Sequence, residues 1–231
     1  MGDDWQSIYR FSAGDIKIIV SQFEQYFGNR TMVDLGFTYR FNNRLSELTS
    51  SFILKNTDGQ LKKEIKGRDD DEIPLLIYTQ RTTKDKFKVD FSVRLHILKR
   101  LDYIFSNEGD SIKKILFLSR YNSFVHHNGY EDLEKFIRYI FESKKKIIKF
   151  STIHSAKGDE ADYVFLVNVD DDGSLGFPSN IQDDPILSLV NDDTDKFEHE
   201  EERRLFYVAL TRTKKQVFLY GDENSYFVKE I

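Results

Sequence analysis

Thr152, His154, Ser155, Lys157, Gly158 and Glu160 fall within nine positions of one another. They separate two apolar runs, residues 147–152 and 163–169. Small hydroxyl donors, one cation and a glycine suit an anionic partner such as a phosphate. His154 can equally serve as a hydrogen-bonded structural histidine.

Three further clusters carry comparable chemistry. Gln6 lies beside Tyr9, Arg10 and Phe11. An amide in a loop can sense a phosphate or orient a water. Tyr9 and Phe11 can stack on bases or bury in a core. In Tyr39-Arg40 the guanidinium can fork onto a phosphate or make a surface ion pair. Residues 200–215 run from three glutamates, through Arg203 and Arg204, to Thr211-Arg212-Thr213. Arg212 just past a helix is placed as an arginine finger would be. Arg203 and Arg204 are expected to pair with the glutamates around them.

Asp159-Glu160-Ala161-Asp162 spells an acidic tetrad that elsewhere holds Mg²⁺ at the end of an apolar strand. Here polar residues precede it and the strand follows, so the match reads as chance. The acids at 170–172 can bind Mg²⁺ but read better as an exposed turn. No metal site is expected within this chain. The phosphate-cradling pattern G-x-x-x-x-G-K-[ST] is absent from the sequence.

The elements that must position these residues alternate. Strands are expected at 32–39, 73–79, 115–119, 147–152, 163–169 and 217–220. Helices are expected at about 15–27, 42–55, 89–105, 130–143 and 199–210, with a short one at 186–190. In the helix over 89–105, Phe91, Leu95, Leu98 and Leu101 are expected to face inward. Residues 56–71 read as a polar surface loop or hairpin. Unbroken apolar strands alternating with helices indicate a parallel α/β sheet.

The bulk composition agrees. The chain has 231 residues, 39% of them hydrophobic and 20 of them phenylalanine, enough for a sizeable core. It has no cysteine, which excludes disulfides and thiolate metal sites and fits a cytoplasmic protein. No apolar run approaches the ~20 residues that span a bilayer, and no membrane partner is expected. A net charge of −5 argues against a protein dominated by nucleic-acid binding, but leaves room for a local basic groove. The abrupt, patterned start suggests part of a longer protein.

Taken together, the clusters resemble the superfamily 1 DNA helicases of the UvrD/Rep type, and within them the helicase IV branch. Gly2-Asp3-Asp4-Trp5-Gln6-Ser7-Ile8-Tyr9-Arg10-Phe11 is similar to motif III, and Thr38-Tyr39-Arg40-Phe41-Asn42 to motif IV. Residues 115–121 resemble the weaker motif IVa. Thr152-Ile153-His154-Ser155-Ala156-Lys157-Gly158 is similar to motif V. Glu201-Glu202-Arg203-Arg204-Leu205-Phe206-Tyr207-Val208-Ala209-Leu210-Thr211-Arg212 is similar to motif VI. Departures are Ala13-Gly14 where Gly-Ala is usual, Asp159 where an apolar residue is usual, and Thr213 where alanine is usual. The short gap between motifs IVa and V leaves no room for a large inserted domain.

The resemblance implies a RecA-like parallel sheet flanked by helices, the second motor domain of a P-loop NTPase without the P-loop itself. Residues 1–30 would be the remnant of a first RecA-like domain and hinge, and 31–231 the second domain. Gln6, Arg40 and Arg212 would be catalytic, with Arg212 the arginine finger. Gln6, Tyr39, Arg40, Gly158, Glu160 and Arg212 would contact ATP, Tyr39 by stacking on adenine. Phe11 and Tyr9 would stack on single-stranded DNA, and Thr152 and His154 would contact its backbone. Mg²⁺ would be held by the missing amino-terminal part. The partners implied are ATP, single-stranded DNA and duplex junctions, for a monomeric 3′–5′ helicase. The alternatives are an RNA polymerase recycling factor that shares the ATPase motifs, and a regulatory or mobile-element protein with an inactive motor.

Overall fold

The computed structural model describes residues 2–9, 17–56, 60–80, 91–121, 130–170, 176–180 and 197–231. Its strands are β1 Phe37–Asn42, β2 Lys66–Arg68, β3 Leu75–Gln80, β4 Ile115–Ser119, β5 Ile148–Thr152, β6 Ala161–Val169 and β7 Thr213–Asp222. Its helices are α1 Lys17–Val20, α2 Phe23–Phe27, α3 Asn43–Ile53, α4 Phe91–Glu108, α5 Tyr130–Ile140, α6 Glu200–Leu210 and α7 Tyr226–Glu230. Five strands form one all-parallel sheet in the order β3-β7-β6-β4-β5. The expected parallel α/β sheet flanked by helices is the architecture of the chain.

The period of two along each strand builds two cores. Leu116 and Leu118 of β4, Val164 and Leu166 of β6, and Val217 and Leu219 of β7 pack with α3, α6 and α7. Ile115 and Phe117, Tyr163 and Phe165, and Phe218 and Tyr220 pack on the other face with α4 and α5. Asn168 takes a left-handed φ of 63° where the β6–β7 register shifts. The bulge reverses the alternation, so Val169 joins the α6 side.

Several elements differ from expectation. The helix over 15–27 is two short helices, and α2 buries none of its residues. Without a packed face a helix gains little beyond propensity. Strand β1 begins at Phe37 because its partner β2 pairs only from there, Phe37 with Lys66. Strand β2 lies inside the segment expected as a loop. It is admitted by Gly67, where a Cβ would meet the Asn42 carbonyl carbon at 2.4 Å. In α4 the inward stripe is Val93, Ile97, Leu101 and Ile104. Phe91 and Leu95 are exposed. That helix carries two overlapping apolar stripes, and packing selects the one facing the sheet. The short helix expected at 186–190 lies outside the described residues. No described helix is long and apolar enough to cross a membrane.

A second, two-stranded parallel sheet of β1 and β2 stands beside the main one. Asn42 ends β1 and caps α3, its side-chain oxygen accepting from the Leu45 N–H at 3.1 Å. That turn of chain places Arg40 next to the end of α6.

Candidate functional site

The nine-residue polar cluster does not gather at one place. Thr152 pairs with Ser119 at the carboxyl end of β4, whereas the Asp162 N–H donates to the Lys114 carbonyl at its amino end. At about 3.3 Å per residue, those two ends of the sheet are roughly 16 Å apart. Residues 153–160 run back from one to the other.

The amino-end half is built around Arg212. Residue 211 closes α6 and β7 begins at Thr213, so Arg212 is fixed from both sides. Its side chain is 1% exposed. It donates to the Val208 carbonyl at 2.9 Å, the Gln6 Oε1 at 3.0 Å, the Thr211 Oγ1 at 3.4 Å and the Asp159 carbonyl at 3.5 Å. All four acceptors are neutral. Burial, and then the nearby Arg40 charge, lower its pKa to about 10.

Gln6 is held in turn. Its amide donates to Asp3 Oδ2 at 2.5 Å. Trp5, fully buried beside Tyr207 with its indole N–H on the Leu61 carbonyl, anchors that segment. Arg204 donates to the Ser7 carbonyl at 2.8 Å. Along β1 the side chains alternate, so Tyr39 points out, 84% exposed and edge-on to Phe37 at 4.8 Å. Arg40 points in and donates to the Thr211 carbonyl at 3.1 Å and to Glu160 at 3.4 Å. Glu160 also meets the Lys214 ammonium at 2.5 Å, which holds its carboxyl below the usual range. Gly158 takes a φ of +87°, which favours glycine.

At the carboxyl end, Thr152 Oγ1 accepts the Ser155 N–H at 3.2 Å and donates to Ser155 Oγ at 3.0 Å. Its hydroxyl is therefore engaged in starting the turn. Burial, with the Arg120 charge next, lowers the His154 pKa to about 4, so the ring is neutral at physiological pH. Tyr9 donates to the His154 carbonyl at 3.3 Å, and the Lys157 ammonium stands 4.6 Å over its ring. Phe11 lies outside the described residues. The segment 3–9 thus runs alongside the turn, with Gln6 at its Arg212 end and Tyr9 at its His154 end.

Arg204 pairs with Glu200 at 2.6 Å as expected. Arg203 does not pair with the neighbouring glutamates. It is fully buried and takes Glu230 of α7 with both amino groups at 2.7 Å, because α7 covers that side of α6. Glu202 instead binds Arg120 at the end of β4. In the acidic tetrad, Asp162 accepts the N–H groups of Lys113 and Lys114. Asp159 binds Lys114 and Lys149. No cluster of three or more metal-ligating side chains occurs among the described residues. The sequence alone did not single out Asp3, Lys114, Lys149 or the pairing of Lys214, since their partners are set by the sheet.

Residues 122–222 match the model of the UvrD-like helicase C-terminal domain. The chain is 38% identical over 229 residues to DNA helicase IV of Escherichia coli strain K12, covering 97% of this chain and 29% of that protein. It is 41% identical over 78 residues to the probable DNA helicase II homolog of Mycoplasma pneumoniae, covering 34% of this chain and 9% of the relative. A solved C-terminal domain of a possible DNA helicase from Lactobacillus plantarum WCFS1 aligns at TM-score 0.46 and 13% identity, over 84% of this chain and 94% of that one. The chain spans less than a third of the length of the curated relatives it matches. Residues 122–222 thus carry a UvrD-like helicase C-terminal domain.

Proposed function

We propose that this chain is the carboxyl-terminal motor part of an ATP-dependent 3′–5′ DNA helicase, supplying phosphate-sensing arginines and part of a single-stranded DNA track. Residues 1–30 are assigned to the edge of a first RecA-like domain and hinge, and 31–231 to the second domain. The observation that carries this reading is Arg212, buried at 1% exposure with only neutral acceptors. A buried cation is costly unless an anion completes it.

The donor set fits a polyphosphate. Arg40 reaches the Thr211 carbonyl from β1, and Lys214 shares Glu160 with it. The exposed Tyr39 ring fits a nucleobase. In this reading Gln6 and Arg212 respond together to the terminal phosphate, because they share a hydrogen bond. Arg40 exchanges Glu160 for that phosphate, and Gly158 and Glu160 form the nearby wall. Mg²⁺, held by residues of another segment, would neutralise phosphate charge. Tyr9, with Phe11, offers stacking faces. Thr152 and His154 shape the strand-binding end, His154 as an uncharged partner.

The test is Arg212→Ala in the intact protein. Turnover of ATP is expected to fall by about a thousandfold or more, with ATP binding largely kept. Unchanged turnover would remove Arg212 from this role.

A further inference from the structure

We infer that Asp159, gripped by Lys114 and Lys149, is a positioning residue that sets Arg212 through its own main-chain carbonyl. The inference rests on the reading of Arg212 given above.

Asp159 follows Gly158, whose φ of +87° is one that favours glycine. The Asp159 N–H donates to the Ala156 carbonyl at 2.9 Å, which closes the turn locally. Its two carboxylate oxygens are divided between two strands. Oδ1 takes the Lys114 ammonium at 2.5 Å, just before β4, and Oδ2 takes the Lys149 ammonium at 2.9 Å, within β5. The turn is thereby tied to the sheet at its amino end.

The same residue's carbonyl accepts from Arg212 Nη1 at 3.5 Å. The next link returns the contact, since the Ala161 N–H donates to the Arg212 carbonyl at 3.0 Å. A hydrogen bond near 3.5 Å is at its outer limit. A shift of a few tenths of an ångström makes or loses it, so the lysine grip adjusts the one marginal contact of a guanidinium otherwise held by Val208 at 2.9 Å and Gln6 at 3.0 Å. Asp159 is 28% exposed and Lys149 52% exposed. Salt therefore screens this grip, unlike a buried pair.

The test uses the intact protein with saturating ATP and single-stranded DNA. Asp159→Asn and the double variant Lys114→Ala/Lys149→Ala are each expected to lower kcat about tenfold, with KM for ATP within about twofold. Asp159→Glu, which keeps the charge, is expected to retain most of the turnover. Combining Asp159→Asn with both lysine changes should lower kcat no further, as one linked unit requires. The kcat of the unaltered protein should fall with rising salt more steeply than that of Asp159→Asn. Thermal midpoints measured alongside separate misfolding from mispositioning. If Arg212→Ala leaves turnover unchanged, the reading of Arg212 fails and this inference with it. If Arg212→Ala is inactive while Asp159→Asn keeps full kcat, or the losses simply add, only this inference falls.

Discussion

At the scale of single residues, His154 shows how burial decides chemical role. The imidazole is shielded by the turn and faces the Arg120 charge, and both effects favour its neutral form. Its folded pKa of about 4 lies below the ordinary value near 6.5. The unfolded chain therefore binds a proton that the fold excludes between those two values. The resulting stability is complete above about pH 6.5 and is lost as pH falls toward 4. Replacing His154 with Asn should shrink the loss of stability between pH 7 and pH 5 by roughly 1 kcal/mol, after discounting for solvent screening. Urea unfolding of both proteins at the two pH values measures this, and the acidic groups titrate alike in each. Equal losses in the two proteins would show that His154 is charged in the fold. The types of residue at the site were legible in the sequence, because hydroxyls, arginines and a glycine advertise phosphate chemistry wherever they stand. Their partners were not. Asp159 finds Lys114 across two strands, and Gln6 finds Arg212 from 206 positions away.

At the scale of elements, α6 is the most constrained helix of the site. Its first turn carries Glu200, Glu201 and Glu202, which suit the positive end of the helix dipole. Its two arginines face opposite duties. Arg204 holds the segment bearing Gln6, and Arg203 holds α7 among the rings of Phe52, Phe197, Tyr226 and Phe227. Removing the carboxylate by Glu230→Gln strands a buried guanidinium. The cost should be about 2–3 kcal/mol, below the figure for fully buried pairs because Glu230 keeps some exposure. Arg203→Met should cost less, since Met keeps the apolar contacts and the partly exposed Glu230 carboxylate still has the Lys55 ammonium at 3.4 Å. Chemical denaturation of the two variants checks the order, and the reverse order would show that the ion pair itself supplies the stability. Strong patterns survived from sequence to structure here. The α6 helix, β4, β5 and β6 all lie within two residues of their expected limits, apart from small extensions. Weak patterns did not. Strand β2 and helix α7 are short, and each exists only through a partner distant in sequence, Asn42 for Gly67 and Arg203 for Glu230.

At the scale of the whole molecule, the polar turn 153–160 and the segment 3–9 are parallel connectors between opposite ends of one sheet. Tyr9 meets His154 at one end, and Gln6 meets Arg212 at the other. Ligands bound at the two ends would each meet both connectors, and any coupling between them would be reciprocal in free energy. The cations at the amino end nonetheless belong to a single wall. Arg212 rests on neutral acceptors, Arg40 is shared with Glu160, and the sequence contains no G-x-x-x-x-G-K-[ST] loop to cradle a triphosphate. Phosphoryl transfer needs that cradle and a metal opposite the arginines, because positioning and charge stabilisation supply nearly all of its catalysis. The chain on its own should therefore bind ATP weakly and hydrolyse none, with no stimulation by single-stranded DNA. A phosphate-release assay on the purified chain measures this directly. Turnover that persists in the chain and disappears with Arg212→Ala would mean that this wall alone completes the site, and the two-domain reading would be wrong.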